Sequence, residues 1–173
     1  KDGLKNIIKA FSVFHESFPH IGFKFIGRIS NLAYFEELQE LVRTLNLQDA
    51  ISFTGEVDRK EYVKEMFNAQ LMVVAKPKDS YYGGGLSSKV IEYLFSGNPV
   101  VMVASDDYVN YLTHKEHVYF TEDNTPEKLS AAMLEVFSDD SLRSKIALGG
   151  KQFAMTHFNY HILTRPLFAV VLR

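Results

Sequence analysis

Apolar residues change their spacing repeatedly along this chain, and the changes predict alternating helices and strands. Near the start they lie three or four positions apart, as on one face of a helix: Leu4, Ile7, Ile8, Phe11, Phe14 and Phe18. Pro19 closes this helix. Residues 23–27 and 51–55 then read as two short strands, each ending in glycine. Asn31 and Asp58 are placed to cap the helices that follow these strands.

The second half of the chain continues the alternation. The apolar run of residues 71–75 predicts a strand covered on both faces. The remaining predicted elements are a helix over residues 87–96, strands over 99–104 and 118–120, and helices over 126–137 and 142–157. Pro166 interrupts any helix in the tail of residues 160–173, which therefore stays ambiguous.

Strands and helices that alternate without a hairpin signal predict an α/β fold, a parallel sheet with helices on both faces. Ligands of such sheets bind beyond the carboxyl ends of the strands. Gly27, Gly55 and the glycine triplet of residues 83–85 all follow predicted strands. Each glycine alone indicates only a tight turn, but the set favours one ligand cleft. No linker or repeat divides the chain, so we predict one domain over residues 1–173.

Composition narrows the class of protein. Hydrophobic residues make up 46% of the 173 positions and the net charge is -2, so no charged surface is predicted for nucleic acid. The sequence has no cysteine, which excludes disulfides and thiolate metal sites and suits a reducing cytoplasm. His114 and His117, and His157 and His161, are close pairs without a zinc-binding pattern, so no metal is expected. The chain enters a helix directly, whereas domains of this type lead with a strand, so we expect the natural protein to extend upstream.

The candidate chemistry lies between Tyr81 and Val101. The glycine triplet runs into a helix that begins at Ser87 or Ser88, and free N–H groups at a helix start suit a phosphate. Glu92, one turn further on, is placed to accept hydrogen bonds from sugar hydroxyls, although an isolated exposed glutamate on a helix is common. A Walker-type loop is not favoured because Lys89 is misplaced for it. A dinucleotide fingerprint is not favoured either, because Ser88 replaces its third glycine.

Five short motifs follow one another in a specific order. They are Lys1-Asp2-Gly3-Leu4 with the helix behind it, Phe25-Ile26-Gly27, Ile51 to Val57, Ala69 to Val74, and Gly85 to Val101. In this order they resemble the C-terminal, donor-binding domain of retaining glycosyltransferases of the two-Rossmann-domain (GT-B) type, above all glycosyltransferase family 4. The resemblance covers residues 1 to about 158 and implies a Rossmann-like domain, one half of a GT-B fold.

The resemblance also implies roles for residues. Lys1 would meet the donor diphosphate, Glu92 would bind the ribose hydroxyls, and Gly84 and Gly85 would present N–H groups to the diphosphate or the sugar. Backbone around residues 55–57 would border the base. The implied donor-binding set is Lys1, Gly55, Glu56, Val57, Gly84, Gly85, Leu86, Ser87, Lys89 and Glu92.

One departure from the family pattern concerns the transferred sugar. Many members carry an E-x7-E pair, but Gly84 stands where the first of these glutamates would be. A subset of the family lacks it as well, and this chain resembles that subset. Lys89 is one candidate for the sugar contact, and its alternative is a structural role at the helix start. Asp79 is another candidate, and its alternative is an acidic residue of a mobile loop. Tyr81 and Tyr82 are candidates for stacking on a base or sugar; the alternative is that they are exposed loop tyrosines without a ligand.

The resemblance implies that the parent protein transfers a sugar from a nucleotide-sugar donor to a glycan or lipid-linked acceptor, in polysaccharide or glycoconjugate biosynthesis. The nucleotide sugar is a co-substrate, and no metal or other cofactor is implied. The acceptor would bind through an N-terminal domain absent from this chain, so the isolated domain should be inactive. We expect a cytoplasmic location, with peripheral association at the inner face of the membrane left open. A nucleotide-sugar epimerase of the same fold and a non-catalytic nucleotide-binding Rossmann module remain as alternatives.

Overall fold

The computed structural model describes residues 3–76 and 86–158, which form five strands and seven helices. In chain order these are α1 (Leu4–Ser17), β1 (Phe23–Phe25), α2 (Leu32–Thr44), β2 (Ile51–Phe53), α3 (Arg59–Asn68), β3 (Met72–Val74), α4 (Ser88–Ser96), β4 (Val100–Val103), α5 (Asp106–Val109), β5 (Tyr119–Thr121), α6 (Pro126–Ser138) and α7 (Asp140–His157). Every predicted helix and strand in these residues is present; β1 to β4 are shorter than predicted, and β5 has the predicted length but begins one residue later. The α5 helix was not predicted, because four residues are too few to show a helical period.

Side-chain caps fix where several helices begin. The Asn31 side chain accepts a hydrogen bond from the Tyr34 N–H at 3.0 Å, and Asp58 accepts one from the Glu61 N–H at 2.8 Å, as predicted. Asp139 caps α7 in the same way, accepting from the Leu142 N–H at 2.9 Å. This third cap explains why α7 begins at Asp140, two residues ahead of the predicted start.

All strand pairs are parallel, as predicted, but the described strands form two ladders rather than one sheet. One ladder pairs β1 with β2, and the other has the order β3-β4-β5. Among the described residues, β1 and β3 each have one neighbouring strand only. The prediction of a single continuous sheet is therefore modified: the sheet is interrupted between β1 and β3.

Helices cover both faces of the sheet. On one face α1 packs against α6, and their apolar cluster includes Leu71 and Val73. On the other face the cluster around α4 and α7 includes Met72 and Val74. Successive residues of β3 therefore face opposite helical layers, as a period of two requires.

The neighbouring strands β3 and β4 differ in burial. Residues Val100 to Val103 of β4 are fully buried, which is typical of a parallel strand between two helical layers. The three residues of β3 are covered by helices on both faces, as predicted, but they are only half-buried. The reason is that β3 is an edge strand of its ladder among the described residues.

Two glycines allow α7 to approach the segment before β5 closely. A Cβ on Gly149 would lie 2.2 Å from the Glu116 carbonyl oxygen, and one on Gly150 would lie 2.7 Å from that of His117. No real side chain tolerates such distances, so glycine is required for this contact.

Within the described residues, the helices are too short or too polar to cross a bilayer.

Candidate functional site

The glycines after β1 and β2 meet at the carboxyl edge of the sheet. The Gly27 N–H donates a hydrogen bond to the Gly55 carbonyl oxygen at 2.9 Å. Both have positive φ, 126° for Gly27 and 66° for Gly55, which disfavours any residue with a side chain. No described atom lies within 4 Å of a Cβ built on either glycine. The backbone conformation therefore accounts for both glycines, and the space beside them is open.

The start of α1 lies at the same edge, beyond β3. Gly3 adopts a φ of 67° and lies so close to β3 that an added Cβ would be 2.2 Å from the Ala75 carbonyl oxygen. Asn124, after β5, donates its Nδ2–H to the same oxygen at 3.2 Å. The Asn6 Nδ2–H donates in turn to the Asn124 carbonyl oxygen at 2.8 Å. This chain of contacts holds Gly3 and the first turn of α1 at the carboxyl edge.

The N-terminus of α4 also faces this edge. Ser87 is the N-cap residue, and its hydroxyl makes no capping hydrogen bond within the described structure. The first N–H groups of the helix and the positive end of its dipole are thus directed beyond Ser87. Leu86, just ahead, packs partly against the apolar cluster of α4 and α7, whereas the Lys89 side chain is exposed.

Glu92 is held from α3 by two donors. The Tyr62 hydroxyl donates to Glu92 Oε2 at 2.9 Å, and Arg59 Nη1 donates to Glu92 Oε1 at 3.2 Å. The Glu92 side chain keeps 35% of its surface exposed. Burial, and then the hydrogen bond to Glu92, raise the pKa of Tyr62 well above its usual range, so its hydroxyl stays protonated as a donor. The carboxylate is thus fixed in direction and still accessible.

Tyr62 and Arg59 were not among the predicted site residues. Their spacing of three residues places them on one face of α3, and this was visible in the sequence. The sequence did not show that their partner is Glu92 on α4, because that contact depends on how the two helices pack. The Arg59 ion pair also places Val57, two residues earlier, on the same side of the molecule as Glu92.

The structure gathers part of the predicted set at one edge. Gly55, Glu56 and Val57 form the turn ahead of α3, and Glu56 is exposed there. Ser87 and Glu92 lie on the facing helix α4. The other members and candidates lie outside the described residues: Lys1, Asp79, Tyr81, Tyr82, Gly84 and Gly85.

The histidine pairs serve local structure where they are described. His114 Nδ1 accepts a hydrogen bond from the Phe120 N–H at 3.0 Å, and His117 Nδ1 accepts one from the Thr113 N–H at 3.0 Å. Burial lowers the pKa of both imidazoles, which agrees with their acceptor role. In the described ranges, no three His, Asp or Glu side chains come together as a metal site would require.

Comparison with known families gives one match that spans most of the chain. The family described as "Glycosyl transferases group 1" matches residues 1–153. An uncharacterized glycosyltransferase of Methanocaldococcus jannaschii is 24% identical over 160 residues, which is 91% of this chain. The chain spans only 38% of the length of that relative.

Solved structures agree with this fold. The C-terminal domain of a glycosyl transferase group 1 family protein (LpcC) from Francisella tularensis superposes with a TM-score of 0.80 at 22% identity, covering 91% of this chain and 80% of that domain. The Anabaena protein Alr3699/HepE, solved in complex with UDP, gives a TM-score of 0.81 at 16% identity. It covers 96% of this chain, which in turn spans 44% of the Anabaena chain. At these identities the likeness establishes the fold alone.

Proposed function

We propose that this chain, which belongs to the glycosyl transferases group 1 family, is the donor-binding domain of a glycosyltransferase and binds a nucleotide sugar at the carboxyl edge of its sheet. The observation that carries the proposal is the orientation of Glu92 by Tyr62 and Arg59, on a helix whose N-cap residue Ser87 makes no side-chain capping bond within the described residues. The family match favours sugar transfer over an epimerase or a non-catalytic module.

Glu92 has the capacity to bind a ribose without losing its present partners. A carboxylate offers about four lone-pair sites, and the bonds from Tyr62 and Arg59 occupy one on each oxygen. About two sites remain, which matches the two neighbouring hydroxyls of a ribose. The exposed third of the side chain is where these hydroxyls would approach.

The diphosphate would lie at the start of α4. Backbone N–H groups at a helix N-terminus bind phosphate oxygens, and the adjoining glycines 84 and 85 would extend that row of donors. Lys1 would add positive charge, since Gly3 is already fixed at this edge by its contact with Ala75. The exposed Lys89 is a second cation within the same turn.

The base would border the turn of residues 55–57; the Arg59–Glu92 ion pair, which brings this turn to the same side of the molecule as Glu92, supports that arrangement. The acceptor, a glycan or lipid-linked sugar, would bind to a second domain outside this chain. That the chain spans 38% of a curated relative supports such a division. We propose that the parent protein acts with retention of configuration in glycan assembly, in the cytoplasm or at the inner face of the membrane.

The test compares Glu92→Gln with unaltered protein in calorimetric titrations with UDP, GDP and ADP. Hydrogen bonds to a charged group contribute about 1.5–3 kcal/mol, so loss of the charge should weaken the preferred nucleotide about ten- to a hundredfold.

Glu135→Gln is the matched control. Glu135 on α6 also accepts hydrogen bonds from a tyrosine, Tyr119, and from a cation, Lys115, each at 2.5 Å. It lies near the end of α6, away from the carboxyl edge, so nucleotide affinity should not change. Equal losses in both variants, or no nucleotide binding by unaltered protein, would contradict the proposal.

A further inference from the structure

The outer edge of β2 is open in the described structure. Among the described residues, β2 has β1 on one side and no neighbouring strand on the other. The Thr54 N–H donates to the Phe25 oxygen at 3.0 Å, so Thr54 faces β1. Because backbone groups alternate in direction along a strand, those of Ile51 and Phe53 face the open edge.

Two backbone groups on this edge have no hydrogen-bond partner among the described residues. They are the Phe53 N–H and the Ile51 carbonyl oxygen, whereas the Ile51 N–H donates to the Leu47 oxygen at 2.9 Å. Natural proteins commonly protect an edge that should not pair with lysine or proline residues. Residues 50–54 contain no proline and no charge, so β2 is available for pairing.

A groove of about 230 Å³ lies between this edge and α2. It is lined by three apolar and three polar residues: Val42, Ile51, Phe53, Gln39, Arg43 and Gln48. The three polar residues are exposed, and Phe53 is half-buried. The open edge of β2 and the adjoining flank of α2 therefore form one continuous surface with an apolar floor.

The flank of α2 on this side carries a stripe of exposed residues. They lie three or four positions apart, which places them on one face of the helix: Leu32, Glu36, Gln39 and Arg43. Leu32 is an apolar residue that is 74% exposed. The opposite flank of α2 packs against α1. The stripe is thus directed away from the domain, beside the open edge.

The centre of β2 is level with the middle of this stripe. At one end of β2, Ile51 and Val42 both hydrogen-bond to Leu47. At the other end, the Phe53 ring meets the Phe35 ring, with their centroids 5.4 Å apart. The centre of β2 therefore lies midway between residues 35 and 42 of α2, close to position 39.

We propose that two copies of the protein associate through this surface, around a two-fold axis between their Ser52 residues. The two β2 strands pair antiparallel, and each Phe53 N–H donates to the Ile51 oxygen of the partner subunit. The sheet then continues from one subunit into the other. Because α2 shares one apolar cluster with both β1 and β2, it lies over the pair of strands. Its copy is then about 9.6 Å away, two strand spacings of ~4.8 Å, within the ~8–10 Å of packed helices.

The charges of the stripe select a second copy as the partner. Glu36 lies about one turn before the axis and Arg43 about one turn after it, so each faces the other residue type of the partner subunit. Glu36 has no ion pair among the described residues, and Arg43 pairs with the exposed Glu40 at 2.8 Å. Two equivalent ion pairs therefore form across the axis. Such self-complementarity is what a two-fold contact requires.

Disulfide formation at the axis tests the proposal. Opposite residues of a non-hydrogen-bonded antiparallel pair have Cα atoms about 4.5 Å apart, which a disulfide can bridge. Residues 1–173 contain no cysteine, and any cysteine elsewhere in the full-length protein is replaced by serine. Ser52→Cys should then give a covalent dimer on mild oxidation.

Lys24→Cys is the matched control for this cross-link. Lys24 is the register partner of Ser52 on β1, and both side chains are exposed. Because Lys24 lies one strand further from the axis, its two copies are about 14 Å apart, and no disulfide should form.

Reversing charges tests the ion pairs without a cross-link, by sedimentation of the full-length protein over a range of concentrations. Unaltered protein should be a dimer that dissociates on dilution. Glu36→Arg places two like charges against Arg43 of the partner subunit and should weaken the dimer about tenfold. Adding Arg43→Glu in the same chain should restore it. Glu16→Arg, the same change at an exposed position of α1, should have no effect.

Amide exchange shows whether the edge itself is covered. Exchange at Phe53 should slow as the protein concentration rises, because its N–H is bonded only in the dimer. Exchange at Thr54 should not depend on concentration, because its N–H donates within one chain.

Each other result overturns the proposal. A protein that is monomeric at every concentration has no such interface. A dimer that Ser52→Cys does not cross-link, or that the double charge variant does not restore, uses another surface. Slow exchange at Phe53 at every concentration would mean that another part of the same polypeptide covers the edge.

Discussion

Removing the hydroxyl of Tyr62 tests whether Glu92 is oriented for a ligand or simply pairs with its neighbours. In Tyr62→Phe the 2.9 Å bond to Glu92 Oε2 is lost, while the ring stays in place and Arg59 still holds the other oxygen. Nucleotide binding is therefore predicted to weaken, because the carboxylate must be ordered again when the ribose arrives.

The magnitude follows from the exposure of the pair. A hydrogen bond to a charged group contributes about 1.5–3 kcal/mol. The Glu92 side chain is 35% exposed, so in Tyr62→Phe a water molecule can replace part of the lost interaction. We expect a net loss of binding free energy of about 1 kcal/mol, which corresponds to a roughly fivefold loss of affinity.

The assay is a titration of unaltered and Tyr62→Phe protein with the preferred nucleoside diphosphate and with its 2′-deoxy analogue. The variant should lose affinity for the ribonucleotide and lose less toward the deoxy analogue, which lacks one of the two hydroxyls that we propose bind Glu92. Tyr119→Phe is the matched control, because Tyr119 donates to Glu135 in the same manner.

Equal weakening of both nucleotides by Tyr62→Phe would refute the reasoning, since the hydroxyl would then act on the domain in general. A similar loss in Tyr119→Phe would refute it as well. Urea unfolding of both variants checks that the fold persists.

Three further predictions concern stability. Helix propensity alone favours Gly149→Ala by about 1 kcal/mol, but the new Cβ would lie 2.2 Å from the Glu116 oxygen, so we expect a net destabilisation of about 2 kcal/mol or more in urea unfolding. Burial lowers the pKa of His114 and His117 below 6.5, so these histidines bind protons more readily in the unfolded chain than in the folded one. Their neutral forms therefore contribute fully to the free energy of unfolding above about pH 6.5, and this contribution is lost as the pH falls. Unfolding followed from pH 7.5 to 5 should show this slope, and replacing both histidines by asparagine should reduce it. The Ser105 hydroxyl is buried without a hydrogen-bond partner in the described structure, so Ser105→Ala should leave the melting temperature unchanged or raise it slightly.

Local sequence signals predicted most of the fold. The caps Asn31 and Asp58 and the glycines after β1 and β2 act within a few residues, so their roles could be read directly from the chain. The α4 helix and its start at Ser87 or Ser88 were predicted for the same reason, and Gly97 in the left-handed conformation ends it.

Contacts between distant segments were not predictable. Glu92 was predicted as a site residue, but its donors on α3, which lie 30 and 33 positions away, were not, because no local pattern specifies how α3 and α4 pack. The interruption between β1 and β3 was missed because periodicity reports which residues are apolar and not which strand lies beside which. The predicted donor-site roles of Lys1, Gly84 and Gly85 stay predictions.

The contacts that fasten the start of α1 have a consequence for the time course of synthesis. The Asn6 side chain binds the Asn124 carbonyl, 118 positions later, and Asn124 in turn binds Ala75. At about 5–20 residues per second, a ribosome needs roughly 6 to 24 s to make the chain between the two asparagines. During that interval α1 can form as a helix, but Asn6 in its first turn lacks the Asn124 carbonyl to which it binds. The edge that we propose as the nucleotide site would therefore be among the last parts of the nascent domain to assemble.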